Sequence, residues 1–441
     1  MDVIGTDASG VSGLSSTGRD LLAAADLVAL PRRLQEQTRA WLLETPSQRS
    51  DLQGRARFPE LVNSDDPALL LEALKGALAA DLSVVLLASG DPLWFGIGRL
   101  LLQHLPAEQL RFHPAPTCLQ LAFARIGRPW QDTSWISLHG RDPAPLAAKL
   151  QQRPPALAVL TDPGRGGAET VLRVLRGAGL EAAYRIWLCE RLGHPLERVS
   201  MLPPGAAPPT DLDPLHLVLL VAEPPPLPDL STLPLFGIED GLWLQLGDRP
   251  GLMTKREVRI QLLADLDLPS RGILWDIGAG VGSIGLEALR LRPGLMLWAL
   301  ERRTGGAALI QANAERFGVD PTAVVEGEAP AALATFPDPD RVLLGGGGRL
   351  REVLLDTVLN RLRPGGVVVV PLATVEGVPE LRPVMDAAGF GVWISQHQTW
   401  RGAPLADGTR LSPQNPVFVL KGKKPQQFQI PLAVGTRFTA P

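Results

Sequence analysis

Cysteine is scarce in this chain of 441 residues, which contains only Cys118 and Cys189. The two lie far apart in the sequence, and neither belongs to a Cys-x-x-Cys pair. Disulfide frameworks and thiolate metal sites need more cysteines at closer spacing. The composition therefore excludes both, and we expect no metal site.

An excess of basic charge and long apolar runs are also missing. The formal net charge is −3, so the sequence has no electrostatic footprint for nucleic acid. The first ten residues contain neither the basic region nor the apolar segment of a signal peptide. No apolar run approaches the roughly 18 residues of a membrane span. We therefore expect a cytoplasmic protein that binds neither nucleic acid nor membrane.

The stretch 273–289, ILWDIGAGVGSIGLEAL, contains the clearest motif of the chain. An apolar strand leads into three glycines at alternate positions, and helical spacing of apolar residues follows. An open α/β sheet forms a ligand site in this way at the carboxyl end of a strand. Glu301, 25 residues after Asp276, ends the next predicted strand and could bind ribose hydroxyls. The glycine loop could thus hold a dinucleotide or S-adenosylmethionine; Ser283, where a dinucleotide loop has glycine, favours S-adenosylmethionine.

The first half of the chain alternates apolar strands with helical segments. Residues 46–65 are polar and predicted to be irregular, and strands are predicted near 2–5, 27–30, 83–89, 184–189, 196–201 and 216–223. The strand 83–89 stops abruptly on Gly90-Asp91-Pro92, which predicts a sharp turn. This turn is either a plain connection to the next helix or a ligand loop. Gly96 and Gly98, directly after it, favour the ligand loop.

The second half follows a proline-rich segment. Residues 224–236, PPPLPDLSTLPLF, are short of charge and predict a semi-rigid linker. A helix is predicted at 248–268 with its entry at Thr254, and a repeating strand–helix pattern with a terminal antiparallel pair predicts a doubly wound sheet. Residues 400–411 are predicted to be a polar segment before the last strand. We expect domains at 1–222 and 237–424, a linker at 223–236 and a loosely held tail at 425–441.

Four pieces of the first half resemble the tetrapyrrole methylases. They are the opening strand with its glycine loop, LASGDPLWFGIG, SLHGR, and CERLGHPLERV at 189–199. The likeness covers about residues 2–222 and is closest to the branch that methylates carbon 5 of the corrin precursor. One departure is the first loop, Gly5 to Gly10, where the family usually has Gly-x-Gly-Pro-Gly.

The second half resembles the carbon-15 methyltransferases of corrin synthesis, which also decarboxylate their substrate. MTKREVR, LWDIGAGVGSIGLEA, ALER, NAERFG, GEAP and NPVFVLKG support this likeness over about 237–424. The chain therefore looks like a fusion of two families. The resemblance implies an α/β protein with a tetrapyrrole-methylase domain followed by a Rossmann-like class I methyltransferase domain with a doubly wound sheet.

The resemblance also implies one S-adenosylmethionine site in each domain. The residues it places against the cofactor are Gly90, Asp91, Pro92, Gly96, Ile97 and Thr117 in domain one and Thr254, Gly278, Ala279, Gly280, Val281, Gly282, Glu301 and Ala329 in domain two. The implied reactions are methylation of a precorrin-6-type substrate at carbons 5 and 15 and loss of the ring C acetate carboxyl. The product would be precorrin-8 or its cobalt form. We also expect a homo-oligomer.

Arginine supplies nearly all of the positive charge, and the corrin precursor carries many carboxylates, which arginine binds well. The candidates for binding these carboxylates are Arg32, Arg33, Arg141, Arg349 and Arg401. The catalytic candidates are His139 in domain one and Lys255 and Arg259 in domain two, where either could steady the departing carboxylate. Two alternatives stay open: a nicotinamide-dependent enzyme acting on another acid, and a tetrapyrrole carrier whose first domain is inactive.

Overall fold

The computed structural model describes residues 1–45, 58–247, 251–346, 348–405 and 408–426. The chain divides into two compact units. The first contains residues 1–146, 154–172 and 185–222, and the second contains 147–153, 173–184 and the chain from Glu223 onward. No helix within the described ranges is long and apolar enough to cross a bilayer.

The first unit begins with a five-stranded sheet. Its strands and helices are β1 (Asp2–Thr6), α1 (Ser16–Ala23), β2 (Leu27–Leu30), α2 (Arg32–Glu44), β3 (Glu60–Asn63), α3 (Pro67–Ala79), β4 (Val84–Ser89), α4 (Gly98–His104) and β5 (Arg111–His113). The strand order is β3-β2-β4-β1-β5, and all neighbouring pairs are parallel. The central strands are buried on both faces, as parallel strands covered by helices are.

A second five-stranded sheet follows in the chain. Its elements are α5 (Cys118–Arg125), β6 (Thr133–Ser137), α6 (Ala144–Gln151), β7 (Ala156–Leu160), α7 (Gly167–Gly177), β8 (Tyr184–Glu190), β9 (Arg198–Leu202) and β10 (His216–Ala222). The order is β6-β7-β10-β8-β9, with antiparallel pairing of β7 with β10 and of β8 with β9. The first half thus contains two sheets.

The second unit is built on a seven-stranded sheet. Its elements are α8 (Arg256–Asp265), β11 (Gly272–Ile277), α9 (Ser283–Leu291), β12 (Leu295–Glu301), α10 (Gly306–Arg316), β13 (Ala323–Glu326), β14 (Arg341–Leu344), α11 (Arg351–Arg361), β15 (Val367–Leu372), α12 (Gly377–Ala387), β16 (Gly391–His397), β17 (Trp400–Leu405), β18 (Gly408–Pro413) and β19 (Val417–Lys423). The sheet order is β13-β12-β11-β14-β15-β19-β16, with β19 antiparallel to both of its neighbours. The expected doubly wound sheet with a terminal antiparallel pair is confirmed.

The centre of this sheet determines where the second site lies. The chain leaves β11 toward β12 on one side and returns to β14 on the other, so the strand order reverses between β11 and β14. Ligands of open α/β sheets bind at such a switch point, outside the carboxyl ends of the strands. Alternate residues of β11 enter different cores: Leu274 packs in one apolar cluster and Trp275 in another. The glycine loop follows β11 directly.

Three local expectations differ from the structure. Of the helix expected at 248–268, residues 248–250 lie outside the described residues and the rest form only α8, whose N-cap is Lys255. The segment 400–411, expected only as a polar segment before the last strand, contributes to β17 and β18, which pair as an antiparallel hairpin. Residues 60–63, expected to be irregular, form β3 as an edge strand.

The proline-rich segment is attached to the second unit by arginines. Arg316 donates to the carbonyls of Pro225, at 2.6 Å, and Pro226, and Arg290 donates to those of Pro234 and Leu235 at 3.2 and 3.3 Å. The expected tail at 425–441 lies outside the described residues from 427 onward.

Candidate functional site

The glycine loop of the second unit lies at the carboxyl end of β11. Gly278, Gly280 and Gly282 all have positive φ, at 73, 61 and 80°, which favours glycine at each. A Cβ on Gly278 would overlap the carbonyl oxygen of Gly345, the residue that follows β14. A Cβ on Gly280, by contrast, would meet no atom within 4 Å. The loop is therefore closed against β14 at its start and open above Gly280.

Glu301 lies beside that open space. Its side chain is 3% exposed, and its Oε2 accepts the Gly280 N–H at 2.7 Å while Oε1 accepts the Arg303 N–H at 3.0 Å. An ionised carboxylate has about four acceptor positions, so two of them are used by the backbone. The remainder can accept ligand hydroxyls, as the sequence predicts for a ribose.

Asp276 lies in β11, two residues before Gly278, and is buried. Its Oδ2 accepts the Gly285 N–H at 3.0 Å in the first turn of α9. Burial, together with the nearby charge of Glu301, raises the pKa of Asp276 to about 7, and the Gly285 hydrogen bond opposes this shift. Asp276 thus holds the loop to the helix and is not available to a ligand.

Thr254 and Lys255 form the start of α8. The Thr254 carbonyl accepts from Arg259 Nη1 at 2.8 Å, and Lys255 Nζ donates to the Gly251 carbonyl at 3.0 Å. Burial lowers the pKa of Lys255; the negative charge of Asp240 opposes this shift, and the positive charges of Arg153 and Arg401 add to it. Within the described chain, Lys255 has no carboxylate within ion-pair distance. It can therefore serve an anion.

Arg259 and Arg401 are engaged inside the second unit. Arg259 is fully buried and pairs with Glu287 at 2.7 Å and Asp240 at 3.3 Å, and it also donates to the Ile238 carbonyl. Arg401 pairs with Glu257 at 2.7 Å and with Asp240 at 3.0 Å. Their geometry gives both guanidinium groups a structural role. The side chain of Arg349 lies outside the described part of the chain.

Ala329 follows β13, which is the neighbour of β12. The Gly327 N–H donates to the Glu301 carbonyl at 3.0 Å, so the GEAP segment begins next to Glu301. Ala329 packs against the apolar cluster that contains Leu300. It therefore lies in the neighbourhood that the resemblance implies, but as a partly buried apolar residue with no polar side-chain group.

The first unit encloses a cavity of about 750 Å³. It is lined by residues from both sheets, among them the ends of β1, β4, β6 and β7. Of the predicted residues, those that line it are Arg33, Gly90, Asp91, Thr117, His139 and Arg141. Pro92, Gly96, Ile97 and Arg32 do not line it. The cavity thus brings together predictions that are scattered over more than 100 positions of the sequence.

Main-chain contacts shape one wall of this cavity. The Gly90 N–H donates to the Thr6 carbonyl at 2.7 Å, and a Cβ on Gly5 would overlap the Gly90 carbonyl oxygen. Pro92 and Gly96 lie close together in the turn that follows. A Cβ on Gly96 would overlap the Pro92 carbonyl oxygen. Thr117 caps α5 in a capping box with Gln120.

Hydrogen bonds hold the first loop, Gly5 to Gly10, in place. Thr6 Oγ1 donates to the Gly10 carbonyl at 2.7 Å, Asp7 Oδ1 accepts the Ser9 N–H at 2.9 Å, and the Ala8 N–H donates to the Leu192 carbonyl at 3.2 Å. Thr6, Asp7 and Ala8 all line the cavity. Although this loop departs from the family pattern, it still forms a wall of the cavity.

The cavity combines cationic and apolar groups. Arg33 donates to Ser89 Oγ at 2.6 Å, and burial lowers the pKa of Arg33. Arg141 lies over the ring of Phe95, with its guanidinium carbon 5.5 Å from the ring centre. His139 is exposed at the cavity. The lining also contains the carboxylates of Asp7 and Asp91. Its arginines and apolar side chains suit an apolar ligand that carries anionic groups.

Sequence reasoning missed several cavity residues. Cys118 and Cys189 line the cavity, and burial raises the pKa of their thiols to about 11 and about 12. His216 also lines it, with Nδ1 2.6 Å from the Asp213 carbonyl oxygen. A lone histidine at the start of a strand gives no signal in the sequence that could have identified it. Among the described residues no group of three metal-ligating side chains is present.

Each half of the chain matches a known protein family. The family of tetrapyrrole (corrin/porphyrin) methylases matches residues 3–203, and a precorrin methyltransferase domain family matches residues 247–424. A crystal structure of a precorrin-6y C5,15-methyltransferase from Geobacter metallireducens is 31% identical, with a TM-score of 0.41, over 44% of this chain and 100% of that one.

Curated relatives extend over one half or over almost the whole chain. A cobalt-precorrin-6B C(15)-methyltransferase (decarboxylating) from Salmonella typhi is 32% identical and covers 42% of this chain and 96% of its own. A precorrin-6Y C(5,15)-methyltransferase [decarboxylating] from Sinorhizobium sp is 33% identical over 428 residues, 95% of this chain and 94% of its own. Because that likeness extends through both units, the chain belongs to the family of the decarboxylating precorrin-6Y C(5,15)-methyltransferases.

Proposed function

We propose that this chain methylates a precorrin-6-type tetrapyrrole at carbons 5 and 15 and removes the carboxyl of its ring C acetate. The first unit performs the carbon-5 methylation, and the second performs the carbon-15 methylation and the decarboxylation. The product is precorrin-8 or its cobalt form. The observation that supports this division is that each unit contains a strand-end site of its own, built from different elements.

The second site fits S-adenosylmethionine. The space above Gly280 is open, Glu301 has acceptor positions left for two ribose hydroxyls, and Ala329 offers a small apolar surface for the adenine. Gly278, Ala279, Val281 and Gly282 form the floor, and Thr254 lies at the entrance. A donor with ribose hydroxyls is what this set of acceptors can hold.

The first site fits the same donor by other means. Gly90 and Asp91 offer main-chain groups on a sharp turn, and Thr117 closes the wall behind them. We place one S-adenosylmethionine here and one in the second unit. The turn residues Pro92, Gly96 and Ile97 contribute by shaping Gly90 and Asp91.

S-adenosylmethionine supplies a methyl group on a positively charged sulfur. The protein's contribution is to align an electron-rich carbon with that methyl group and to exclude water. No covalent nucleophile is required. The raised pKa values of Cys118 and Cys189 keep both thiols protonated near neutral pH, so neither is suited to nucleophilic attack.

The substrate carboxylates have candidate partners in both units. In the first, Arg33, Arg141 and His139 line the cavity. In the second, Lys255 is the candidate that can pair with the acetate carboxylate before decarboxylation, since Arg259 and Arg401 are paired with acids. The carboxyl leaves as carbon dioxide, and the electron pair of the broken C–C bond passes into the conjugated macrocycle. We assign Arg259 to holding the Thr254 carbonyl in place.

Mass spectrometry of the tetrapyrrole after incubation with S-adenosylmethionine tests the proposal. Two added methyl groups and one lost carbon dioxide are expected, with metal-free and cobalt-containing substrates run in parallel. A product without the second methyl, or with its carboxyl intact, would contradict the assignment of the second unit. Calorimetric binding of S-adenosylhomocysteine but not NAD is expected, and sedimentation tests the expected homo-oligomer.

A further inference from the structure

Asn313 is a buried amide behind the second site. It lies on α10 and is 0% exposed. Its Nδ2 donates to the carbonyls of Val281, at 3.0 Å, and Leu244, at 3.2 Å, and its Oδ1 accepts the Leu244 N–H at 3.0 Å. Both amide hydrogens are therefore used, and both serve main-chain groups.

Asn313 joins two stretches of the chain that we assign to the second site. Val281 belongs to the glycine loop and follows Gly280, whose N–H binds Glu301. Leu244 begins the entrance segment, by which we mean the described residues 244–247 and 251–254. Within that segment Gln245 accepts the Gly251 N–H at 3.2 Å, and the preceding Trp243 packs on Phe317 with ring centres 4.3 Å apart.

We propose that Asn313 is a positioning residue for the second methyl-transfer site, which fixes the glycine loop relative to the entrance segment. This proposal rests on the proposed function of the second unit. Asn313 is too deeply buried to contact a ligand, so it acts through Val281 and Leu244. Without its two donations the Val281 carbonyl loses its partner, and the Gly280 N–H shifts relative to Glu301. The effect falls on cofactor binding, because Gly280 and Glu301 are the groups that we place against the cofactor.

The test uses the full chain and compares Asn313→Ala and Asn313→Asp with the natural protein. Asn360→Ala is the matched control, because Asn360 lies on the exposed face of α11 and its side chain bonds only to Asp356 within the described contacts. The KM for S-adenosylmethionine in formation of the doubly methylated, decarboxylated product is expected to rise about tenfold in Asn313→Ala. Its kcat is expected to stay within about twofold, since the substrate groups are untouched.

Asn313→Asp separates positioning from general stability. The carboxylate keeps an acceptor for Leu244 but has no donor for Val281, and it regains one donor when protonated. Its affinity for S-adenosylhomocysteine, relative to the natural chain at each pH, is therefore expected to improve as the pH falls. A merely structural role would instead lower the melting temperature of both variants with no change in KM and no recovery at low pH.

The outcomes distinguish this inference from the proposed function. If the natural chain forms no second methyl product, the proposed function of the second unit fails. If the natural chain is active and Asn313→Ala has an unchanged KM for S-adenosylmethionine, the positioning role alone is overturned. Should Asn313→Ala not fold, the pH dependence of Asn313→Asp decides the question.

Discussion

Replacement of Arg259 by methionine should destabilise the second unit strongly. Arg259 and Glu287 are both 0% exposed, and their contact at 2.7 Å is accompanied by the contact with Asp240 at 3.3 Å. Methionine keeps much of the apolar volume against Trp243 but leaves Glu287 buried without its cation, while Asp240 keeps its ion pair with Arg401. Removing one partner of a buried pair costs about 3–5 kcal/mol. For a unit of this size that corresponds to a melting temperature lower by roughly 6–20 °C.

Hydrogen exchange measured by mass spectrometry gives the local answer in the intact chain. Peptides that cover α8 and α9 should exchange about 10²- to 10⁴-fold faster when exchange requires unfolding of the unit, since each 1.36 kcal/mol is a factor of ten. The first unit's β1 and β4 should be unaffected.

Arg382→Ala is the matched control for an exposed pair. Arg382 and Asp386 lie one turn apart on α12, at 3.3 Å, and their side chains are 54% and 52% exposed. Such pairs contribute about 0.3–0.5 kcal/mol. If Arg259→Met changed exchange no more than Arg382→Ala does, the argument from burial of the Arg259–Glu287 pair would be refuted.

Gly278→Ala should abolish the second methylation while the first persists, because the new methyl overlaps the Gly345 carbonyl; mass spectrometry of the product distinguishes the two steps. For Asp276, the folded pKa of about 7 lies above the unfolded value, so the folded state binds the extra proton between about pH 4 and 7 and stability falls as pH rises through that window. Asp276→Asn should flatten that slope in pH-dependent unfolding, and an unchanged slope would contradict it. Cys118 and Cys189 should react slowly with a thiol reagent at pH 7.5, because their thiols stay protonated; rapid labelling of the folded chain would count against the buried cavity wall.

Much of the fold could be predicted from the sequence because its strands are continuous apolar runs. β4 and β15 are buried almost throughout, and Gly90 follows the end of β4 directly. The strand, glycine loop and helix of 273–289 were predictable for the same reason. The terminal antiparallel pair was also predicted, but the insertion of β19 between β15 and β16 was not.

Elements whose register depends on contacts distant in the sequence were not predictable. The hairpin of β17 and β18 contains few apolar residues, and Arg401 on it is held by Glu257, 144 positions earlier. The helix after Thr254 is shorter than its apolar spacing indicates, since it ends at Asp265. The two sheets of the first half have similar strand patterns, so nothing in the sequence separates them.

The residues of the two sites also differ in whether the sequence could predict them. Glycines and Glu301 have a fixed spacing along one strand–helix unit, so their proximity could be inferred. The cavity residue His216 and the buried amide of Asn313 come together only through tertiary packing. Arg259, which charge alone suggests for a substrate carboxylate, is enclosed by acids that lie 19 and 28 positions away.

The proline-rich segment has a consequence for dividing the protein. Proline offers a carbonyl acceptor without an N–H donor, so this segment is a strip of acceptors, and Arg316 and Arg290 occupy it. A fragment that starts at Gly237, where composition changes, would strip both guanidinium groups of these partners. A gene fragment for the second activity should instead start at Glu223. A fragment boundary chosen from the composition alone, at Gly237 instead of Glu223, is therefore 14 residues too late.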